Sequence, residues 1–197
     1  MLTAGIDEVG TGALAGPYIS VVAVFKDTDL ALLPVGVKDS KKCTEAQREG
    51  LYLPLCRTAF DVGVGHAWPW EIDQYSPYSA LQLSYRRALG ELVAQPDLLI
   101  VDGKNRIEGW NGQQMVLPKA DALHWQVSAA SIIAKVFRDR IMEEYAKTSP
   151  NYGWKKNKGY GTDDHIQAIK KLGLMVDGAD KSKYLHRMTY CKRLVRV

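Results

Sequence analysis

The sequence of 197 residues lacks the features that define several classes of protein. Its three cysteines, Cys43, Cys56 and Cys191, are far apart and show no Cys-x-x-Cys spacing, which excludes a disulfide framework and a cysteine zinc site. No apolar run reaches the roughly 18 residues that a membrane-spanning helix needs. The N-terminus has no basic segment followed by an apolar stretch, so we predict no secretory signal and expect a cytoplasmic protein that binds no membrane.

Two kinds of catalytic site are also poorly supported. The histidines at positions 124, 165 and 186 do not have the spacing of metal ligands, so we predict structural roles for them. Ser128 and Ser131 have no partner base that the sequence identifies, which argues against a serine nucleophile.

Composition predicts one globular domain whose charge is unevenly distributed. The chain is 46% apolar and contains no internal repeat, low-complexity segment or linker. Residues 151–197 contain 11 Lys or Arg and 4 Asp or Glu, whereas residues 1–150 contain 15 and 18. We therefore predict a core over 1–150 and a basic helical extension over 151–197, packed together as a single domain. This asymmetry favours a polyanionic partner, and a solvated helical surface is the alternative.

The pattern of apolar residues predicts strands alternating with helices. Strands are expected at 2–7, 19–25, 60–67, 97–101 and 113–117. Helices are expected at 45–56 with Thr44 as N-cap, at about 79–95, at about 128–147, at 162–172 and from about 186. The early strands predict antiparallel pairing and the later ones, reached through helices, predict parallel pairing. The expected α/β architecture is a mixed sheet covered by helices.

The segment Gly5–Pro17, GIDEVGTGALAGP, combines two consecutive carboxylates with a glycine-rich loop. Asp7 and Glu8 end an apolar run, and Gly10 and Gly12 follow. Acids beside backbone that can approach a ligand closely indicate a metal and a phosphate. Strict alternation along a strand would send the two acids to opposite faces, so we expect the strand to end or twist at Glu8.

Three further acids lie in informative positions. Asp102 ends an apolar strand, and ligands bind at strand ends in α/β sheets. Asp121 and Asp139 are 18 residues apart, a spacing that would separate them by about 27 Å on one helix. We therefore expect Asp121 on a loop that folds back, or one of these two acids outside the set of direct metal ligands.

Clustered carboxylates favour a metal-dependent hydrolase that acts on nucleic acid. They repel one another unless cations bind, and oxygen ligands suit Mg²⁺ or Mn²⁺. Two such ions can activate a water and stabilise the leaving oxygen of a phosphodiester. For any single acid, a helix cap or an ion pair is the alternative. For Asp139, which lies between Arg138 and Arg140, an ion pair is favoured.

Several blocks of sequence occur in the order found in one known family, from residue 5 to residue 190. They are GIDEVGTGALAGP, KDSKK (Lys38–Lys42), LLIVDGK, PKAD with VSAASIIAKVFRDR (Val127–Arg140), NKGYGT (Asn157–Thr162) and HRMTY (His186–Tyr190). These blocks resemble the ribonuclease HII family of bacteria and archaea. The resemblance implies a ribonuclease H-like fold, with a five-stranded mixed sheet flanked by helices and a helical C-terminal extension.

The resemblance also implies an activity. Members of the ribonuclease HII family are endoribonucleases that hydrolyse the RNA strand of RNA–DNA hybrids. They also cut on the 5′ side of ribonucleotides embedded in duplex DNA, and they leave 3′-hydroxyl and 5′-phosphate ends. The expected partners are those two kinds of duplex, and a monomer is the family expectation.

Matching positions imply the site residues. The catalytic and metal-binding acids would be Asp7, Glu8, Asp102 and Asp121, with two Mg²⁺ or Mn²⁺ ions, and Asp139 would be a further acid near the site. The substrate-binding residues would be Gly10, Thr11, Gly12, Ser40, Lys41, Lys42, Lys158 and Tyr160. The backbone of the glycine loop would recognise the 2′-hydroxyl, and Tyr160 would pack against the sugar that follows the ribonucleotide.

One position departs from the family pattern, because Thr11 lies where the family has Arg or Lys between two glycines. A charge-assisted hydrogen bond to phosphate contributes roughly 1.5–3 kcal/mol, so we predict weaker binding or slower cleavage than in a typical member. Two alternatives remain open. One is a hybrid-binding protein that has lost catalysis. The other is the related type HIII ribonuclease, which usually carries an N-terminal domain before its first acid.

Overall fold

The computed structural model describes residues 1–33, 37 and 43–194. The chain forms two compact units. The first contains Met1–Val9, Ile19–His66 and Gln82–Val136, and the second contains Gly10–Tyr18, Ala67–Leu81 and Phe137–Val197. The division into a 1–150 core and a 151–197 extension stays a prediction. Within the described ranges, no helix combines the length and the apolar character needed to cross a membrane.

A five-stranded mixed sheet forms the framework of the first unit. Its strands are β1 (Leu2–Val9), β2 (Tyr18–Lys26), β3 (Asp61–Ala67), β4 (Leu98–Asp102) and β5 (Gln114–Leu117), in the order β3-β2-β1-β4-β5. β1 pairs antiparallel with β2 and parallel with β4, and β4 pairs parallel with β5. The predicted strands and their mixed pairing are therefore confirmed.

The helices are α1 (Glu45–Thr58), α2 (Pro69–Gln74), α3 (Pro77–Gly90), α4 (Ala120–Leu123), α5 (Trp125–Thr148), α6 (Trp154–Asn157), α7 (Asp163–Leu172) and α8 (Met188–Cys191). Thr44 caps α1 as predicted, accepting a hydrogen bond from Gln47 N at 3.2 Å. The prediction that α3 extends to residue 95 is wrong. The Asp61 carboxylate accepts hydrogen bonds from Val93 N and Ala94 N, which holds the chain beyond Gly90 outside the helix.

Different helices cover the two faces of the sheet. On one face, a Cβ added at Gly5 would lie 2.3 Å from the backbone of α5, and the Phe25 ring lies 4.8 Å from the Trp125 ring. On the other face, Ser20 Oγ lies 2.7 Å from Ser84 Oγ of α3. This arrangement gives the side chains of β1 two distinct environments, which matters for the acids at its end.

The second unit has an apolar core of its own. Trp154, Met142, Ile169 and Leu185 are buried in it, and the Tyr152 ring stacks on Trp154 with 5.0 Å between centroids. Tyr152 and Trp154 therefore pack inside this unit.

Candidate active site

Three carboxylates occupy the ends of two neighbouring strands. Ile6 of β1 pairs with Val101 of β4, so Asp7 and Asp102 are the next residues of two parallel strands. Glu8 follows on β1. The charges of both neighbours raise the pKa of Asp7, which shows that the carboxylates interact. The sequence prediction that Asp7, Glu8 and Asp102 meet at one edge is consistent with this geometry.

Asp7 and Glu8 face opposite sides of the sheet. Ser131 of α5 is hydrogen-bonded to the Asp7 carboxylate, whereas the Tyr85 hydroxyl of α3 donates to Glu8 Oε2. β1 continues one residue further, to Val9, so the strand does not end at Glu8. A twist at Glu8 stays a prediction. Burial is the main cause that raises the pKa of both acids, and the Asp102 charge adds to the increase at each, so normal alternation is compatible with a site that the two acids share.

Burial opposes ionisation of these acids. Asp7 is only 8% exposed, and burial followed by the Glu8 charge raises the pKa of Asp7 to about 8. Burial also raises the pKa of Glu8, and the hydrogen bond from Tyr85 partly offsets that increase. A bound cation would lower the free energy of the ionised carboxylates.

The donor chemistry at this edge fits a hard divalent cation. Its side chains offer only carboxylate oxygens, which Mg²⁺ and Mn²⁺ prefer. Among the residues that the structure describes, Asp7, Glu8 and Asp102 form no ion pair with a Lys, Arg or His. Among the described residues, no group of three or more His, Cys, Asp or Glu side chains is arranged to hold a metal ion. The suitability of this edge for a divalent cation therefore rests on the charge and the type of its donor atoms.

The residue that precedes Asp121 is hydrogen-bonded to the Asp102 carboxylate. Asp102 Oδ1 accepts a hydrogen bond from Ala120 N at 3.1 Å, and Asp121 is the next residue of α4. His124 has extended backbone with φ −123° and ψ 114°, which separates α4 from α5. Asp121 is therefore outside the long helix, but it lies in the short helix α4 and not in the predicted loop, and it is 4% exposed. Asp139 belongs to the second unit, where it is buried on α5.

The glycine loop Gly10–Pro17 belongs to the second unit. Ala13 N donates to Gly10 O at 3.1 Å, which closes a turn around Thr11 and Gly12. The backbone N–H groups of Thr11 and Gly12 make no hydrogen bond among the residues described. They are available to an acceptor from outside the chain.

The two glycines of this turn differ in whether the fold leaves room for a side chain. Gly10 has φ +92°, and an added Cβ would lie 2.2 Å from Arg138 Nε. At Gly12 an added Cβ would meet no described atom within 4 Å. The fold therefore explains the glycine at position 10 and leaves the one at position 12 unexplained.

Other predicted substrate-binding residues have different surroundings. Lys158 is 7% exposed, and its Nζ lies 2.5 Å from Glu143 Oε1. This carboxylate already accepts one of the three donors of the ammonium, so a phosphate would share Lys158 with Glu143. The Tyr160 ring lies 5.2 Å from the Arg138 guanidinium. The predictions for Ser40, Lys41 and Lys42 lie outside the described residues.

The prediction of structural histidines is confirmed at two positions. His165 and His186 are fully buried. Trp154 Nε1 donates to His165 Nε2 at 2.9 Å, and Met175 N donates to His186 Nδ1 at 2.9 Å. Burial and the neighbouring His165 lower the pKa of His186 to about 3.

Sequence reasoning missed two fully buried arginines, Arg138 and Arg187. A signal for Arg138 was present, because Ala130, Ala134 and Met142 share its four-residue spacing along α5 and are also fully buried. No comparable periodicity marks Arg187, which precedes the short helix α8.

Comparisons with known proteins agree with these observations. The family model for ribonuclease HII matches residues 4–193. Ribonuclease HII of Roseobacter denitrificans is 39% identical over 193 residues, covering 98% of this chain and 96% of that protein. Ribonuclease HII of Wolbachia pipientis is 43% identical over 174 residues, covering 88% and 86%.

Solved structures show the same similarity. Ribonuclease H2 from Pyrococcus horikoshii OT3 has a TM-score of 0.81 at 31% identity, covering 98% of this chain and 97% of that one. Ribonuclease HII from Archaeoglobus fulgidus, solved in complex with PCNA, has a TM-score of 0.72 at 28% identity, covering 87% of each chain. Bst-RNase HIII in complex with Mn²⁺ has a TM-score of 0.75 at 22% identity, covering 98% and 69%, which shows a shared fold.

Proposed function

The chain belongs to the ribonuclease HII family and is a ribonuclease H hydrolase, and from this premise we propose a more specific reaction. It hydrolyses the RNA strand of RNA–DNA hybrids and cuts duplex DNA on the 5′ side of an embedded ribonucleotide. The products carry 3′-hydroxyl and 5′-phosphate ends. The observation that supports this proposal most is that Asp7, Glu8 and Asp102 lie at the ends of the neighbouring strands β1 and β4 and form no ion pair among the described residues.

The metal-binding and catalytic roles belong, in this proposal, to Asp7, Glu8, Asp102 and Asp121. Two Mg²⁺ or Mn²⁺ ions bound by them would activate the attacking water and stabilise the leaving oxygen of the phosphodiester. Ser131 and Tyr85 orient the Asp7 and Glu8 carboxylates through hydrogen bonds, as groups behind metal ligands commonly do. Asp139 is a secondary acid.

The glycine loop is proposed to recognise the ribose. Only the 2′-hydroxyl distinguishes a ribonucleotide from its neighbours in DNA. The N–H groups of Thr11 and Gly12 lack partners among the described residues, and the space above Gly12 is open, so a sugar can approach this backbone closely. Tyr160 would pack against the following sugar, and Ser40, Lys41, Lys42 and Lys158 would contact phosphates.

The remaining proposals concern assembly and the rival functions. We propose a monomer that works in the cytoplasm on the two kinds of duplex. A type HIII enzyme is less favoured, since identity is 22% to Bst-RNase HIII and 43% to a ribonuclease HII. A hybrid-binding protein without catalysis is less favoured because the acids Asp7, Glu8, Asp102 and Asp121 are all present.

The two ends of β4 offer a matched test. Asp102 lies at its C-terminal end, whereas Asp97 precedes the strand and accepts a hydrogen bond from Leu2 N at 2.7 Å. With Mg²⁺ or Mn²⁺ and a duplex containing one ribonucleotide, Asp102→Asn should slow cleavage by at least about 100-fold. Asp97→Asn should cleave at the wild-type rate. Tight binding by the wild type with no cleavage in either metal would support the binding protein instead.

A further inference from the structure

The Gly10–Pro17 loop surrounds two guanidinium groups that are completely removed from solvent. Arg138 and Arg187 are each 0% exposed. Burial of a charge is costly unless hydrogen bonds and partner charges offset it. Here the hydrogen-bond acceptors of both guanidiniums are backbone carbonyl oxygens, most of which belong to the loop, and the Tyr160 and Tyr18 rings lie against Arg138 and Arg187. Arg187 Nη2 is buried without a hydrogen-bond partner among the described residues.

Arg187 contacts the loop over most of its length. Its Nη1 donates to Gly10 O at 2.7 Å and to Ala13 O at 2.8 Å, and its Nε donates to Gly16 O at 2.9 Å. Its backbone N–H also donates to Leu14 O at 2.9 Å. One residue therefore fixes the direction of four carbonyl groups of the loop.

Arg138 fixes the other end of the loop and connects it to a second segment. Its Nε donates to Pro17 O at 3.0 Å and its Nη2 to Ala15 O at 2.9 Å, while its Nη1 donates to Lys158 O at 2.8 Å. Leu14 N and Ala15 N in turn donate to Gly159 O. The arginine thus holds the loop against the segment that contains Tyr160.

The geometry of these contacts requires arginine. A guanidinium has donors in a rigid planar fork, whereas a lysine ammonium is a single compact donor group on a flexible stem. Burial and the neighbouring Arg138 charge lower the pKa of Arg187 to about 9, so it remains a cation at neutral pH. Two positive charges therefore lie behind the loop despite their repulsion.

The direction of the carbonyls determines what the loop offers to a ligand. Five carbonyls of the loop, those of Gly10, Ala13, Ala15, Gly16 and Pro17, accept from the two guanidiniums. The N–H groups of Thr11 and Gly12 have no partner among the described residues. A turn held in this way presents donors, backed by positive charge, to an acceptor oxygen.

We propose that Arg138 and Arg187 are positioning residues that shape this loop so that its Thr11 and Gly12 N–H groups meet an acceptor oxygen of the ribonucleotide. The inference rests on the proposed function of the loop in ribose recognition. It assigns to two buried cations an indirect part in the specificity of the reaction.

Kinetics of Arg138→Lys and Arg187→Lys test this role. We expect kcat/KM on a duplex with one ribonucleotide to fall at least about tenfold, because the charge-assisted bonds of the fork are lost. The inhibition constant of an all-DNA competitor duplex should stay within about twofold, since exposed lysines supply that affinity. Lysine variants that keep the wild-type kcat/KM would overturn the proposal.

A stability control separates positioning from a general structural role. Ile169→Ala also removes a fully buried group from the second unit, yet Ile169 makes no hydrogen bond to the loop through its side chain. If Ile169→Ala loses as much thermal stability as the lysine variants, its kcat/KM should still stay near the wild-type value. An equal loss of kcat/KM in this control would refute a positioning role. If the lysine variants do not fold, Gly10→Ala, which displaces Arg138 while both charges remain, should give the same loss.

Amide hydrogen exchange distinguishes this inference from the proposed function. The arginine variants should speed exchange at Leu14 and Ala15, whose N–H groups bond to Gly159 O, and leave Gly173, which bonds to Ile169 O, unchanged. If the wild type does not cleave ribonucleotide duplexes, the proposed function is wrong. Unchanged exchange at Leu14 and Ala15 in the arginine variants would refute the positioning role, whatever the cleavage result.

Discussion

The two regions that bury charge do so in opposite ways. At the ends of β1 and β4, burial and neighbouring carboxylates raise the pKa of Asp7 and of Glu8, and Asp7, Glu8 and Asp102 form no ion pair among the described residues. In the second unit, Arg138 and Arg187 are buried at least as deeply, but carbonyl oxygens accept their hydrogen bonds. In the proposed function the acids bind a cation, whereas the arginines bond to carbonyl groups and define a backbone shape, with only Arg187 Nη2 left without a hydrogen-bond partner among the described residues.

Neutralising one acid should show that difference most strongly. Asp7→Asn should slow cleavage by roughly 1,000-fold, because a metal ligand is lost. The same change should raise the melting temperature of the metal-free protein by a few degrees, since burial and the Glu8 charge oppose ionisation of Asp7 and an amide does not ionise. Mn²⁺ should raise the melting temperature of the wild type more than that of the variant. A variant that melts below the metal-free wild type would contradict this account of the acids.

Alanine at the two glycines of the loop should separate fold from recognition. Gly10→Ala should lower the free energy of unfolding by roughly 2–4 kcal/mol, because of its positive φ and the clash with Arg138. Gly12→Ala should change it by less than about 0.5 kcal/mol and still reduce cleavage of the ribonucleotide duplex. Urea denaturation and single-turnover rates measure the two effects. Equal losses of stability at both positions would remove the distinction.

Acid should weaken the second unit through its buried histidines. The pKa of His186 is lowered to about 3 in the folded chain, mainly by burial. The unfolded chain takes up the proton near pH 6.5, so this contribution is complete above that pH and is lost as the pH falls towards 3. Compared with His186→Gln, the wild type should lose about 2 kcal/mol more between pH 7 and pH 5. Parallel pH profiles of the two proteins would show that His186 is not responsible.

The smallest effect is expected where this chain departs from its family. Thr11→Arg should increase kcat/KM on a single-ribonucleotide duplex about tenfold, because it adds a charge-assisted phosphate contact. Thr11→Gln, which adds length without charge, is the control and should stay near the wild type. If Thr11→Arg leaves both rate and affinity unchanged, our interpretation of Thr11 is wrong.

Local patterns predicted most of the framework. The β-branched run at Ile19–Phe25 was sufficient to identify β2, and Thr44 identified the start of α1. The end of α3 was mispredicted because hydrogen bonds from Val93 and Ala94 to the distant Asp61 determine it. Contacts between residues far apart in sequence leave no local signal.

In the candidate site, too, roles that depend on contacts between distant residues could not be predicted from the sequence. The acids were recognisable because carboxylates at strand ends are unusual in themselves. The part played by Arg138 and Arg187 was not, since arginine is normally exposed and its burial here depends on carbonyl groups of the Gly10–Pro17 loop. Lys158 was expected to contact phosphate, and its ion pair with Glu143 became visible only in the folded chain.

The central claim is that Asp7, Glu8, Asp102 and Asp121 make this chain a metal-dependent ribonuclease that cuts at a ribonucleotide. Single-turnover cleavage of an end-labelled duplex with one ribonucleotide, followed while Mg²⁺ or Mn²⁺ is titrated in, tests it most directly. We predict no cleavage in EDTA, and with either metal a single cut on the 5′ side of the ribonucleotide that leaves 3′-hydroxyl and 5′-phosphate ends. Cleavage in EDTA, or equal cleavage of the all-DNA duplex, would contradict the claim.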